Sequence, residues 1–323
     1  MGRVVLSIDA ELAWGFHDLE HPPKTRIERA RWGWRRLLEL LEAYELPATW
    51  CVVGQLFFRD TWLSHPRLEG GSTKTGKSVE HWVGPDLIAA IRDADVDHEL
   101  GSHSFSHTLF DPEADRATLE AELEACVAIA ADQDISLESF VFPRNVVGHR
   151  ELLAEYGFRC YRGEKPPRWY EGSRLYPAGK FASFVAGRRP PPVVTPTVDE
   201  HGLVDIPASL CLFSFEGIAR SLVEPIAGDP VVRKARQGID AAEATGDICH
   251  LWLHPNDLTA RRDRRRLQAI FTYIDERRRL GDLEVEPMAT VAAEVAETAP
   301  TAQIDESPLE PESAVPAGTA VDN

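Results

Sequence analysis

Lysine, methionine and paired cysteine are scarce in this chain, and long apolar runs are missing. Only 6 of its 35 basic residues are Lys, against 52 acidic residues, for a formal net charge of −17 over 323 residues. A surface that acidic repels a polyphosphate, so nucleic acid is excluded as the main partner. No apolar segment approaches the roughly 20 residues that a bilayer span requires, which excludes a helical membrane anchor within the sequence. None of the five cysteines (Cys51, Cys126, Cys160, Cys211, Cys249) forms a Cys-x-x-Cys pair. Most sit in apolar runs, where Cys packs as a small hydrophobe, and the odd count suits a reducing compartment. No basic-then-apolar leader precedes the first strand, so a cytoplasmic location is expected. What is present, 43% hydrophobic and 27% charged residues, is the composition of a soluble globular chain with one large domain or two ordinary ones.

Apolar periodicity predicts alternating strands and helices. Strands are expected at Val4–Ile8, Ala48–Val53, His98–Leu100, Ser139–Phe142, Phe158–Tyr161, Leu203–Ile206 and Ile248–Leu253. Helices are expected at Ile27–Tyr44, Pro85–Ala94, Ala117–Asp132, Glu151–Tyr156 and Asp263–Arg279. Such alternation implies a parallel sheet with right-handed crossovers, whose active sites lie at the C-terminal strand ends. The candidate chemistry falls there. His103 and His107 follow the short strand at 98–100, Asp9 and Glu11 end the first strand, and His254 ends the run Ile248–Leu253. Two imidazoles and a carboxylate make a catalytic Zn²⁺-type ligand set with open positions, leaving a spare carboxylate and a spare His for acid–base work. On a strand, Asp9 and Glu11 share one face. If 103–107 turns helically, its two histidines share one as well.

The order of these segments resembles the polysaccharide deacetylases, the NodB-homology or family-four carbohydrate esterases. The resemblance runs from about residue 3 to about residue 290. It is carried by Val4–Glu11, by Ala48-Thr-Trp-Cys-Val-Val-Gly54, by His103-Ser-Phe-Ser-His107, its most specific part with the residues just before it, and by Leu253-His254. It implies a distorted (β/α)7-type barrel over residues 1–295 and a metal-dependent deacetylase acting on an N-acetylated sugar or oligosaccharide. One divalent ion is implied, Zn first, with Mn, Co or Ni as alternatives. His103, His107 and Glu11 are the expected ligands, Asp9 the general base and His254 the general acid. The family's adjacent Asp-Asp pair is interrupted here by Ala10, so the reversed assignment of Asp9 and Glu11 stays open. Phe142-Pro-Arg-Asn145 occupies the third motif with Arg after Pro instead of before it; Arg144 is expected to pair with Asp9 or with substrate. The family's acetyl-methyl pocket has no clear match, with Trp252, Trp169 and Phe213 as substitutes. His250 is assigned a supporting role. The acidic, Lys-poor composition suggests a halophilic, haloarchaeal member.

Gly71-Ser-Thr-Lys-Thr-Gly-Lys-Ser78 matches the Walker A pattern, but no apolar strand precedes it and Gly84-Pro85 interrupts the helix it would open. Nucleotide hydrolysis is therefore not expected. The Pro-rich stretch 163–196 is expected to be an irregular excursion shaping the substrate cleft. From Ala296 to Asn323 there are four Pro, six acidic residues and no Lys or Arg, a composition expected to be disordered. Two rival functions remain: a cyclic imide or allantoin-type amide hydrolase on the same fold, and a catalytically inactive sugar-binding protein.

Overall fold

The first strand, β1 (Gly2–Ala10), sorts its side chains by alternation. Val4, Leu6, Ile8 and Ala10 join the helix-facing core, while Val5 joins a second cluster on the opposite face, the face that also carries Ser7 and Asp9. The computed structural model describes residues 1–59 and 79–298, apart from Trp169, Ser173, Leu175, Ala186 and Arg188. The Walker-like segment and the chain beyond Thr298 thus lie outside the described residues.

β1 pairs in parallel with β2 (Thr49–Val52), β9 (Ile248–Leu253) and, at its start, β10 (Leu283–Glu286). The sheet continues from β2 through β3 (Glu99–Ser102), β4 (Ser139–Val141), β5 (Cys160–Arg162) and β7 (Val204–Asp205), with β6 (Thr197–Val198) antiparallel at the far edge. β8 (Leu210–Cys211) lies beyond β9. Four inter-strand steps separate β5 from β1, which in a flat sheet is roughly 19 Å. Yet the Arg162 guanidinium on β5 lies 2.6 Å from the Asp9 carboxylate on β1. The sheet must therefore curl into an open barrel, the distorted (β/α) barrel expected. Its interior is filled by Val5, Cys51, Val141, Cys160, Ile206 and Ile248 and floored by Met288 and Val291 of α9 (Met288–Thr298). That helix was not expected and runs past the anticipated boundary at 295.

Outside the sheet, α1 (Lys24–Ala43) buries Trp34, Leu37 and Leu41, with Trp34 stacked on Trp50 of β2 at 5.3 Å. α2 (Pro85–Arg92), α3 (Arg116–Ala131), α4 (Arg150–Glu155) and α8 (Arg261–Leu280) lie where periodicity places them. Besides α9, three further helices were not anticipated: α5 (Tyr176–Val185), α6 (Gly217–Ala227) and α7 (Pro230–Thr245). In α6 the apolar Ile218, Leu222 and Ile226 are exposed while Arg220 is buried, so its pattern does not read as a core-facing helix. Arg220 and Arg266, both fully buried, bond Asp263 and Asp229 at 2.7 and 2.6 Å and so tie α6, α7 and α8 together.

Candidate active site

Just past β1, Glu11 lies against a tight turn, Trp14–Phe16. A Cβ on Gly15 would fall 2.0 Å from the Glu11 carboxylate, so only Gly allows the acid to lie there. At the end of β3, the His103 N–H donates to the Val52 carbonyl at 3.0 Å, extending the ladder by one residue. The chain then bends instead of turning helically, with Ser104 and His107 in the left-handed region at φ 57° and 61°. The two imidazoles meet edge to face at 5.1 Å, brought together by the bend and not by a shared helix face.

His103 Nδ1 lies 2.7 Å from the Val141 carbonyl and so carries the proton that it donates there. In the neutral ring, Nε2 is then a bare lone pair, and it lies 3.7 Å from Glu11 Oε2. His107 Nε2 lies 3.3 Å from the same oxygen. Ligand atoms of all three side chains fall within 4.8 Å of one another, and all three side chains are buried. Acceptors facing each other this closely repel unless a cation or proton lies between them. A tetrahedral ion with bonds of about 2.0–2.2 Å holds its ligand atoms roughly 3.3–3.6 Å apart, so the set fits a divalent metal. Burial disfavours charge on Glu11, but the charge of His254 and the hydrogen bonds of His103 and His107 hold its carboxyl well below the usual carboxylate range. Burial, above all, lowers the basicity of His107.

Asp9 belongs to a different set. Both of its oxygens accept from Arg162, at 2.6 and 2.8 Å. Arg162 also donates to Ser7 Oγ at 3.0 Å and to Asn145 Oδ1 at 2.9 Å, and its guanidinium lies over the Trp252 ring at 4.4 Å. His250 supports the same array through Ser7, with Nε2 at 2.8 Å from Oγ. Burial pushes the Asp9 carboxyl up, but the Arg162 charge and hydrogen bonds, with lesser help from His254 and His103, bring it below its ordinary value. His254, at the end of β9, lies with Nε2 3.6 Å from Asp9 and Nδ1 3.1 Å from Asp257. Burial opposes its protonation, yet the charges of Glu11, Asp257 and Asp9 raise it to about 9. Asp257 is itself ion-paired with Arg26 of α1.

The structure thus brings Asp9, Glu11, His103, His107 and His254 together, and it corrects two expectations. Arg144 does not reach Asp9. Arg144 and Asn145 both adopt left-handed backbone, φ 56° and 55°, which swings Arg144 out to Asp18 at 2.5 Å and turns Asn145 inward to Arg162. Arg162 occupies the place expected for Arg144, because its own strand end faces the barrel interior. The only sequence signal was an Arg directly after the short strand at 158–161, a segment that already carries Arg159. The second correction concerns the cleft. Asp9, Glu11, Gly15, Phe16, Leu19, Arg26, His103, His107, Arg144, Asn145, Trp252 and His254 line a cavity of about 400 Å³. Among the described residues, none of 163–196 contributes. Instead α5 turns Phe184 into the core against Phe215 at 5.2 Å, and the turn after β1 supplies the apolar wall. Of the substitutes for a methyl pocket, Trp252 lines the cavity, Phe213 packs under Arg266, and Trp169 lies outside the described residues.

An open parallel barrel thus carries a buried Glu–His–His set beside an Asp–His pair at its C-terminal strand ends. Residues 30–144 match the polysaccharide deacetylase family model. The fold is similar to that of a Mycobacterium smegmatis protein described as a polysaccharide deacetylase, at TM-score 0.59 and 19% identity, covering 91% of this chain and 90% of the other. It is also similar to a Pseudomonas aeruginosa PAO1 protein described in the same way, at 0.57 and 13% over 92% of each chain. Puue allantoinase gives 0.57 and 13% over 92% and 91%. No curated protein matches the sequence. At these identities the structural likenesses establish the fold. The family match adds a likeness in sequence to the polysaccharide deacetylases over residues 30–144. The matched segment contains His103, His107 and Arg144, while Asp9, Glu11 and His254 enter the site from strands outside it.

Proposed function

We propose that this chain is a divalent-metal-dependent deacetylase that hydrolyses the N-acetyl amide of a sugar or glycan precursor. The observation that carries this reading is the convergence of Glu11, His103 and His107 within 4.8 Å, beside an Asp9–His254 pair at 3.6 Å. Glu11, His103 and His107 would hold the ion, whose chemistry is polarisation of an acyl oxygen and acidification of water. Asp9, fixed by two bonds from Arg162, takes the proton of the attacking water. The water oxygen adds to the acyl carbon, and the carbon–nitrogen bond breaks. His254, protonated at neutral pH with Nδ1 held by Asp257, delivers the Nε2 proton to the departing nitrogen. Acetate and a free amine result.

The cavity supports a compact substrate or the end of a short oligosaccharide, with Trp252, Phe16 and Leu19 against apolar faces and Arg144 placed to meet a substrate oxygen. A cytoplasmic, halophilic setting, with residues 1–295 as the catalytic unit and the acidic tail apart from it, completes the proposal. Nucleotide- or lipid-linked sugars would then be the accessible substrates. The small cavity also favours a second reading, hydrolysis of a cyclic amide such as an imide or allantoin.

Elemental analysis with an acetate-release assay on N-acetylated sugars tests the first reading. One equivalent of metal and chelator-sensitive acetate release are expected. Turnover of cyclic amides without acetate release would move the assignment to the second reading, and metal-free protein with no turnover would overturn both.

A further inference from the structure

We infer that Glu122, in the middle of α3, is a positioning residue that sets the metal-binding bend 103–107 from behind. The inference rests on the metal reading of Glu11, His103 and His107 given above. Glu122 is wholly buried. Its Oε2 accepts from the backbone N–H groups of Phe105 and Ser106 at 3.0 and 2.8 Å, and its Oε1 accepts from Ser106 Oγ at 2.5 Å. Successive backbone N–H groups converging on an anion form a nest, and hydrogen bonds to an ionised acceptor are the stronger kind.

The opposite edge of the bend is held as well. The Ser104 and Phe105 carbonyls accept from Gly54 and Gln55 N–H at 3.0 and 2.9 Å. Gly54 is needed for this approach, since a Cβ there would meet the Phe105 ring at 2.6 Å. The bend is thus clamped by N–H donors on its carbonyl side and by one carboxylate on its N–H side. Between the clamps, Ser104 and His107 hold left-handed backbone that non-glycine residues rarely adopt. Such a conformation persists only where its surroundings over-determine it. Removing Glu122 takes its carboxylate acceptor away from the N–H groups of Phe105 and Ser106 and lets the bend relax. The group that moves is His107, the last residue of the bend and one of three ligand side chains.

A structural role alone would tie α3 to the sheet and cost stability without changing the ligand geometry. Cobalt separates the two roles, because its visible absorption reports ligand arrangement independently of activity. Co²⁺ affinity would be measured by chelator competition on the full chain, with spectrum and thermal midpoint for each variant. Glu122→Ala should bind Co²⁺ about 10–100-fold more weakly than wild type, the usual effect of losing a supporting partner. Its visible spectrum should also change. Glu122→Gln should rescue both to within roughly fivefold, since its carbonyl can accept the two N–H groups and its amide can donate to Ser106 Oγ. Ser106→Ala removes one of the three bonds and should give a smaller loss in the same direction; it carries the test if Glu122→Ala does not fold. Wild-type affinity and spectrum in Glu122→Ala, or in Ser106→Ala when it is the variant that folds, would overturn the inference. If wild type itself binds no Co²⁺, the metal reading fails and this one with it. Binding in wild type that is unchanged in the variants removes only the role of Glu122.

Discussion

Replacing Arg162 by Met tests the active-site reading at its most interior point. Arg162 is 1% exposed and Asp9 2%, and the pair is closed by two bonds at 2.6 and 2.8 Å. Met fills most of the volume beside Trp252 but leaves the Asp9 carboxylate buried without the two hydrogen bonds of Arg162, with His254 Nε2 at 3.6 Å as its remaining charged neighbour. Breaking a buried pair in this way costs about 3–5 kcal/mol. The loss should depend on pH, and its sign follows from Asp9. In wild type the carboxyl lies below its ordinary value, so its contribution to stability is present above that value and is lost as pH falls through the lowered one. Without Arg162, burial dominates and raises the Asp9 carboxyl. The variant is then most penalised at neutral pH, where it must bury a charge, and recovers as pH falls and Asp9 takes up a proton. Guanidinium denaturation at pH 7 and at pH 4.5 should give a wide gap between wild type and variant at pH 7 and a narrow one at pH 4.5. Turnover should fall by about 10²–10⁴, since the proton acceptor is no longer held ionised and oriented. A stability loss under about 1 kcal/mol that does not vary with pH would refute the argument, because about 3–5 kcal/mol is the cost expected of breaking a buried ion pair.

Asp9→Asn should retain metal and lose turnover, whereas Glu11→Gln should lose both; metal analysis giving the opposite pattern would exchange the two roles. His254→Ala should keep metal and lose about 10²–10⁴ in kcat, with less damage on substrates whose leaving group needs no proton. Asp257→Asn removes a charge that raises His254, so the alkaline limb of kcat/KM, set by loss of the His254 proton near pH 9, should move toward neutrality; an unmoved limb would free His254 from the acid role. Arg220→Met, which is not among the residues lining the cavity, should cost about 3–5 kcal/mol by leaving Asp263 and Asp229 short of a partner, with activity per folded molecule unchanged, as read by denaturation alongside acetate release.

Period-two and period-3.6 patterns were legible wherever an element has one face on the core. β1, β9, α1 and α8 fall within a few residues of their expected bounds. Legibility failed where burial runs against hydrophobicity. α6 hides Arg220 and exposes Ile218, Leu222 and Ile226, so the face that packs is the charged one. α7 did carry readable signals, Pro230 in the first turn and an Asp229 cap accepting from Val231 N–H at 2.9 Å. In the site, the residues at the β1 and β9 ends were legible because each closes an apolar run with a side chain of strong chemistry, and His103 and His107 because of their own spacing. Arg162 also stands at a strand end, that of β5, but after a segment interrupted by Arg159. Its partner Asp9 is 153 positions away, and only curling of the sheet brings the two together, so no local pattern marks Arg162. Asn145 and Asp257 were silent for a different reason: each acts through a hydrogen bond to another functional group, which no local pattern marks.

The backbone shows where the fold carries its strain. Among the described residues, eight that are not glycine have positive φ, and five of them, Leu12, Ser104, His107, Arg144 and Asn145, lie in loops at the cavity. Each such residue costs about 1–3 kcal/mol. Their total is comparable with the roughly 5–15 kcal/mol by which a domain is stable. A loop could not sustain that alone, and each of the three loops is pinned by a buried polar group from another element. Asn256 donates to the Leu12 carbonyl at 2.6 Å, Glu122 holds the bend at 104–107, and Arg162 holds Asn145. The pinning groups come from the turn after β9, from α3 and from β5, so the loops are fixed to one another through the barrel. Hydrophobic packing supplies the stability, and buried hydrogen bonds direct part of it into three short turns. Those turns carry Glu11 and His107 to one side of the cavity and Asn145, with Arg162 and Asp9, to the other.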